Sequence, residues 1–286
     1  MSEPGSPRFA ADWLALREEA DADARDTGLV AALRAHLAPA APRGSGAHLT
    51  VRDLGSGTGS MARWLAPRLA GPQHWVLHDR DADLLAHAAG TPPAAAADGA
   101  PVSVETHLAD LADLRASDLI GADLVTASAL LDLLTEEELG ALVEAWAGAG
   151  CAALLTLSVA GRVALTPGHP LDAEIAAAFD DHQRREVHGR RLLGPDAPAA
   201  ATRAFRQWGA RVHASASPWR LGPDRRALTA RWLEGWVAAA VEQRPELSTR
   251  AHPYVEWRQD ECASGRLRAE VHHIDLLVLP GDGARA

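Results

Sequence analysis

Lysine is absent from this 286-residue chain, and all 28 of its basic residues are arginine. A phosphate-binding loop of the form G-x-x-x-x-G-K-[ST] is therefore excluded. Cysteine is scarce: Cys151 and Cys262 are the only two. They cannot form a disulfide framework, and each reads as a buried or inert thiol rather than a nucleophile. No run of about 18 apolar residues occurs and no secretory signal opens the chain, which predicts a soluble, cytoplasmic protein with no membrane partner. Positive charge is in deficit too. The formal net charge is −10, which argues against a nucleic-acid partner, because phosphate contacts need clustered basic residues. What remains is 47% hydrophobic residues, enough for one or two globular domains with a large core. The many alanines and the missing lysines read as genomic composition bias.

The most informative stretch is Asp53-Leu54-Gly55-Ser56-Gly57-Thr58-Gly59-Ser60. An apolar strand over residues 49–54 runs into it, and a helix carrying Met61, Trp64, Leu65 and Leu69 follows at once. Glycine at every second position lets the backbone turn tightly with no Cβ between chain and ligand. The new helix presents unpaired N–H groups at the same point. This is a nucleotide-type site. The dinucleotide fingerprint G-x-G-x-x-G does not fit, since its third glycine would fall on Ser60.

Strand and helix patterns then alternate. A second strand over 75–78 ends at Asp79, beside Arg80, and Asp81 caps the next helix. An acidic residue at the end of the second strand, about 20 residues past the glycines, accepts both hydroxyl protons of a ribose; Asp79 stands there. A third strand, 102–108, leads to Asp110 and Leu111, and a fourth, 122–127, leads to Ser128 and Asp132. Thr135 and Glu138 form a capping box for a helix through Trp146, and a fifth strand covers 152–158. The alternation predicts an α/β fold: a doubly wound, mostly parallel seven-stranded sheet with helices on both faces, plus helical cap insertions.

The stretch Asp53 to Gly59, with Asp79, Asp110 and Leu111 following in order, resembles class I S-adenosylmethionine (SAM)-dependent methyltransferases of the small-molecule type. The resemblance covers roughly residues 47–158. It implies SAM as cofactor and methyl transfer as the reaction, and it is silent on the acceptor. It further implies cofactor roles for Asp53, Gly55, Ser56, Gly57 and Gly59 at the turn, for Asp79 and Arg80 at the ribose, and for Asp110 and Leu111 at the adenine. Asp110 reads equally as the start of a short helix. Ser128 and Asp132, at the end of the fourth strand, border the transferred methyl group if the fold holds; Asp132 is a catalytic candidate. Helices before the first strand fold over the cofactor in this family. That makes Arg17 either a partner of the SAM carboxylate or an ion-paired helix arginine.

The domain reading is a helical segment over the cofactor at 1–46, the SAM-binding core at 47–158, a cap insertion with the sixth strand at 159–222, and a helical insertion with a final antiparallel strand at 223–286. Residues 1–7 read as a loose terminus, 39–46 as a linker and 281–286 as a loose tail. The first insertion reads as an acceptor cap, and the second as a cap wall or a homodimer contact. His169 and His182, in the cap, are candidate bases, or else structural histidines. Arg184, Arg185, Arg190 and Arg191 suggest an anionic acceptor, with Arg185 and Arg190 as its ligands, or else a solvated basic helix end. No metal site is expected. The alternatives are an NAD(P)-binding oxidoreductase, against which the missing Tyr-x-x-x-Lys pair counts, and a non-catalytic SAM-binding protein.

Overall fold

The computed structural model describes residues 10–38 and 48–281. The expected loose terminus 1–7, the linker 39–46 and the tail beyond residue 281 lie outside the described residues. Two helices lead: α1 (Ala11–Ala24) and α2 (Thr27–Leu37). One continuous helical pattern was expected there; the chain instead leaves the helical region at Arg25 and Asp26, and Asp26 accepts from the backbone N–H of Leu29 to cap α2. The alternating part follows: β1 (Leu49–Leu54), α3 (Ser60–Leu65), β2 (Gln73–Asp79), α4 (Ala82–Gly90), β3 (Val102–Leu108), α5 (Ala116–Leu119), β4 (Leu124–Ser128), α6 (Glu136–Ala149) and β5 (Ala152–Thr166). After it come α7 (Asp172–Gln183), the two-residue strands β6 (Glu186–Val187) and β7 (Arg190–Arg191), α8 (Ala197–Gln207), β8 (Arg211–Ala216), β9 (Trp219–Leu221), α9 (Arg226–Gln243), α10 (Ser248–Ala263) and β10 (Arg268–Leu279).

Among the described residues the main sheet has eight strands, one more than expected. Seven run in the order β3-β2-β1-β4-β5-β10-β8, and β9 pairs on β10. β1 to β5 are mutually parallel, while β10 is antiparallel to β5, β8 and β9. The strand order reverses between β1 and β4, which puts the ligand crevice at their carboxyl ends. α2, α3 and α4 pack one face through Leu33, Met61, Trp64 and Leu85 against Trp75 and Leu77. α6 and α8 pack the other through Trp146 and Phe205 against Val125, Leu155 and Leu276.

Residues 160–166 were expected as loop. They continue β5 instead: Val163 and Leu165 alternate inward and pair with Val271 and Ala269 of β10. Period-two alternation is the signature of a half-buried strand, but Gly161 and Pro167 at its flanks read as loop. The extended halves of β5 and β10 carry a second core built from Trp219 of β9, Ile175 of α7, Leu228, Trp232 and Trp236 of α9, and Tyr254 of α10. Part of α1, at Ala20, belongs to this core. No described helix is long and apolar enough to cross a membrane.

Candidate cofactor and acceptor cleft

The glycine turn has the backbone its sequence predicts. Gly55, Gly57 and Gly59 have φ of 61°, 53° and 81°, the left-handed region that favours glycine. A Cβ on Gly59 would stand 3.2 Å from the Ala88 Cβ of α4. The turn is tied to the end of β2: the Ser56 N–H donates to the His78 carbonyl at 3.0 Å, and the Gly57 N–H donates to Asp79 Oδ2 at 2.8 Å. The other Asp79 oxygen accepts the Asp81 N–H at 2.9 Å. Each carboxylate oxygen keeps further lone-pair capacity for a ligand hydroxyl.

A cleft of about 670 Å³ opens at this turn, within the range of small-molecule sites. Of the expected cofactor residues, Arg17, Asp53, Gly55, Ser56, Gly57, Asp79, Arg80, Asp110 and Ser128 all line it. Gly59 does not reach the wall; it is the left-handed N-cap of α3. Leu111 lines an adjoining chamber of about 210 Å³, which shares Asp79, Arg80, Asp110 and Leu133 with the cleft. Asp110 also caps the short turn 111–113 by accepting the Ala112 N–H.

Behind Ser60 and Ser128 of the cleft wall lies a residue that the sequence reading missed and that does not itself line the cleft. Arg25 is 3% exposed. Its Nη2 donates to Ser128 Oγ at 3.0 Å and to Ser60 Oγ at 3.3 Å, both on the cleft wall, and its guanidinium lies over Trp64. Its Nε and Nη1 are enclosed without a hydrogen-bond partner, as are Asp53 Oδ2 and Ser56 Oγ. Burial holds the Arg25 pKa down and pushes the Asp53 carboxyl up to about 7, although Asp53 Oδ1 accepts from Thr126 Oγ1 at 2.6 Å. Buried polar groups are ordinarily paired. Orphan donors on Arg25 and an orphan acceptor on Asp53 match the carboxylate and ammonium of an α-amino acid head. The signal was legible: Arg17, Asp21 and Arg25 repeat at every fourth position, one face of a helix. Arg17 itself forks onto Asp21 at 2.9 and 3.2 Å and lies over Trp219, whose indole N–H donates to Asp21 at 2.9 Å. Arg17 is thus an ion-paired helix arginine that also faces the cleft.

The acceptor and catalytic candidates fare differently. His182 packs from α7 toward α9, its Nε2 3.3 Å from a Glu242 carboxylate oxygen, and burial lowers its pKa. His169 sits among Tyr254 and Trp257, and its Nδ1 accepts the Leu171 N–H. Neither lines the cleft. The arginine cluster is split: Arg184 caps the end of α7 and Arg185 follows it, while a hairpin carries Arg190 and Arg191. Arg190 forks onto Glu138 at 2.9 and 2.7 Å, Arg184 onto Asp196, and Arg185 donates to the His182 carbonyl. Asp132 lies one residue from the cleft-lining Leu133. It is half-buried, its Oδ1 is enclosed without a partner, and burial pushes its pKa up to about 6 against the field of Arg17.

Residues 51–149 match a family described as a methyltransferase domain. No curated protein matches the chain. Solved structures that resemble it include a cyclopropane synthase from Mycobacterium tuberculosis (13% identity, 82% of this chain, 79% of that one, TM-score 0.42). Two others are SAM-dependent methyltransferases in complex with S-adenosylhomocysteine. One is from Geobacter sulfurreducens (15%, 94% and 98%, TM-score 0.44), and one from Thiobacillus denitrificans (14%, 96% and 100%, TM-score 0.43). Identities and TM-scores this low fix no chemistry. The domain match and the cleft together leave the dinucleotide alternative without support.

Proposed function

We propose that this chain, a SAM-dependent methyltransferase by the domain at residues 51–149, transfers the methyl group to a small-molecule acceptor bound in the same cleft. The observation that carries the proposal is that Asp53 Oδ2 and Ser56 Oγ, of two cleft-lining residues, and Arg25 Nε and Nη1, behind Ser60 and Ser128, are enclosed without a hydrogen-bond partner. Arg25 and Ser56 would hold the carboxylate of the cofactor's amino-acid head, and Asp53 its ammonium. Asp79 would take the ribose hydroxyls, with Asp110 and Leu111 at the base. The bound sulfonium supplies an electrophilic methyl, so the cofactor carries the hard chemistry.

The chain's part is to orient the acceptor and exclude water. Leu14, Arg17 and Asp21 of α1 wall the cleft near the glycine turn, and Ser128 and Ala129 wall it at the end of β4. The acceptor would enter between them. Asp132, which does not itself line the cleft but adjoins Leu133 that does, would take a proton from an acceptor hydroxyl or amine when ionised, above pH 6 or so. The anionic-acceptor reading has less behind it, since Arg190 and Arg185 already serve Glu138 and the His182 carbonyl.

The test is calorimetric titration with S-adenosylhomocysteine, native protein beside Asp79→Ala. Removing the charged acceptor should weaken binding by about 1.5–3 kcal/mol, on the order of 10- to 100-fold. No binding by the native protein would overturn the proposal.

A further inference from the structure

The chamber beside the cleft has walls of two origins. The core supplies Leu111, Leu114 and Leu142, and the hairpin inserted after β5 supplies Arg185, Val187 and Leu192. It shares Asp79, Arg80 and Asp110 with the cleft and is walled on another side by Leu133, Leu134 and Glu138; Ser128 is not part of its wall. At about 210 Å³ it admits a flat heteroaromatic ring, with apolar faces on both sides and the Asp110 carboxylate at one edge. The hairpin is built to hold its place. His188 and Gly189 have φ of 52° and 77°, the two positive values a tight two-residue hairpin turn requires. The Leu193 N–H donates to the Leu134 carbonyl at 2.8 Å, Arg190 forks onto Glu138, and Arg190 Nη2 reaches the Leu133 carbonyl at 3.4 Å. Two of these anchors, Leu133 and Leu134, lie between β4 and α6, on the segment that also walls the cleft at Leu133, and the third, Glu138, lies in the first turn of α6.

We infer that this hairpin is a clamp on the purine base of the cofactor and not part of an acceptor cap. This rests on the proposed binding of SAM and adds to it. Val187 and Leu192 close over the ring, and the Arg190–Glu138 pair locks the clamp to the core. Acceptor selection then falls to α1 and the end of β4.

The experiment uses two ligands: S-adenosylhomocysteine, and 5′-deoxy-5′-methylthioadenosine, which keeps the nucleoside and lacks the amino-acid head. Val187→Asp, which plants a carboxylate against the ring face, and Arg190→Met, which opens the lock, should each weaken both ligands by the same factor, about tenfold or more. In the native protein, either ligand should slow hydrogen exchange at the Leu192 and Leu193 amides, which bond to the Arg185 and Leu134 carbonyls. Native protein that binds neither ligand removes the SAM reading itself. Native protein that binds both without protecting those amides, or variants that weaken only S-adenosylhomocysteine, overturns the clamp alone.

Discussion

Arg25 Nη2 stands 3.0 Å from Ser128 Oγ, a bond that spans 103 positions in sequence. It joins the end of α1 to the end of β4 beneath the glycine turn, and it leaves two further N–H groups of the same guanidinium unpartnered. Arg25→Met should therefore weaken S-adenosylhomocysteine by about 10- to 100-fold. Its Tm should hold or rise, because a buried cation without a carboxylate partner contributes little stability. Titration calorimetry and a thermal melt on one preparation decide it. An unchanged affinity would leave the cofactor carboxylate without its assigned ligand.

Asp53 makes cofactor binding pH-dependent. Its folded pKa is raised to about 7 by burial, above the usual carboxylate value, so the folded apoprotein takes up a proton on it that the unfolded chain does not. Stability then falls as pH rises from about 4 to 7 on account of this group, and is level above. A bound ammonium favours the ionised form, so affinity should rise over the same interval with release of a proton. Titrations in buffers of different ionisation enthalpy count that proton. Asp53→Asn should abolish the release and bind more weakly, yet melt higher at pH 8, by about 2 °C or more for each kcal/mol recovered.

Asp132→Asn separates chemistry from binding. Its carboxyl, pushed up to about 6, must be ionised to accept a proton, so the native rate should rise with pH through about 6 and level off. The variant should lose that limb and about 10²-fold or more in kcat, with S-adenosylhomocysteine affinity within about twofold of native. Once an acceptor is found, a native-like pH profile in the variant would free Asp132 from any proton transfer.

Gly59→Ala tests the turn without touching the ligand. The residue caps α3 at φ 81° with Ala88 3.2 Å from the added Cβ. The left-handed backbone alone should lower stability by about 1–2 kcal/mol, read as a drop in Tm of roughly 2–8 °C. A variant that melts as the native protein does would show that the turn relaxes freely.

The alternating half of the fold was readable from residues because local signals agreed there. The capping box of Thr135 and Glu138, the Asp81 cap and the glycine turn all form as their sequence implies. The second half was less legible. Strand 160–166 is held by β10, more than 100 residues later, and no local pattern announces such a partner. Histidines 169 and 182 looked like bases because a histidine's role depends on what packs against it, and here that is Trp257 and Glu242. Arg25 was overlooked, although it continues the face of Arg17 and Asp21, because an arginine at the end of a helix normally faces water.

Asp275 of β10 accepts from the Asp26 and Leu157 backbone N–H groups and from Ser217 Oγ. The strand that carries it pairs with β5, β8 and β9 and is the last one among the described residues. The start of α2, and with it the docked position of Arg25, thus waits on a residue 249 positions later in the chain. The backing of the cleft is assembled late, by contacts of the longest sequence separation, the kind that form slowly and leave earlier intermediates prone to misassembly. A nascent chain stalled before residue 268 would hold its glycine turn and most of its parallel sheet and still have no finished place for the cofactor.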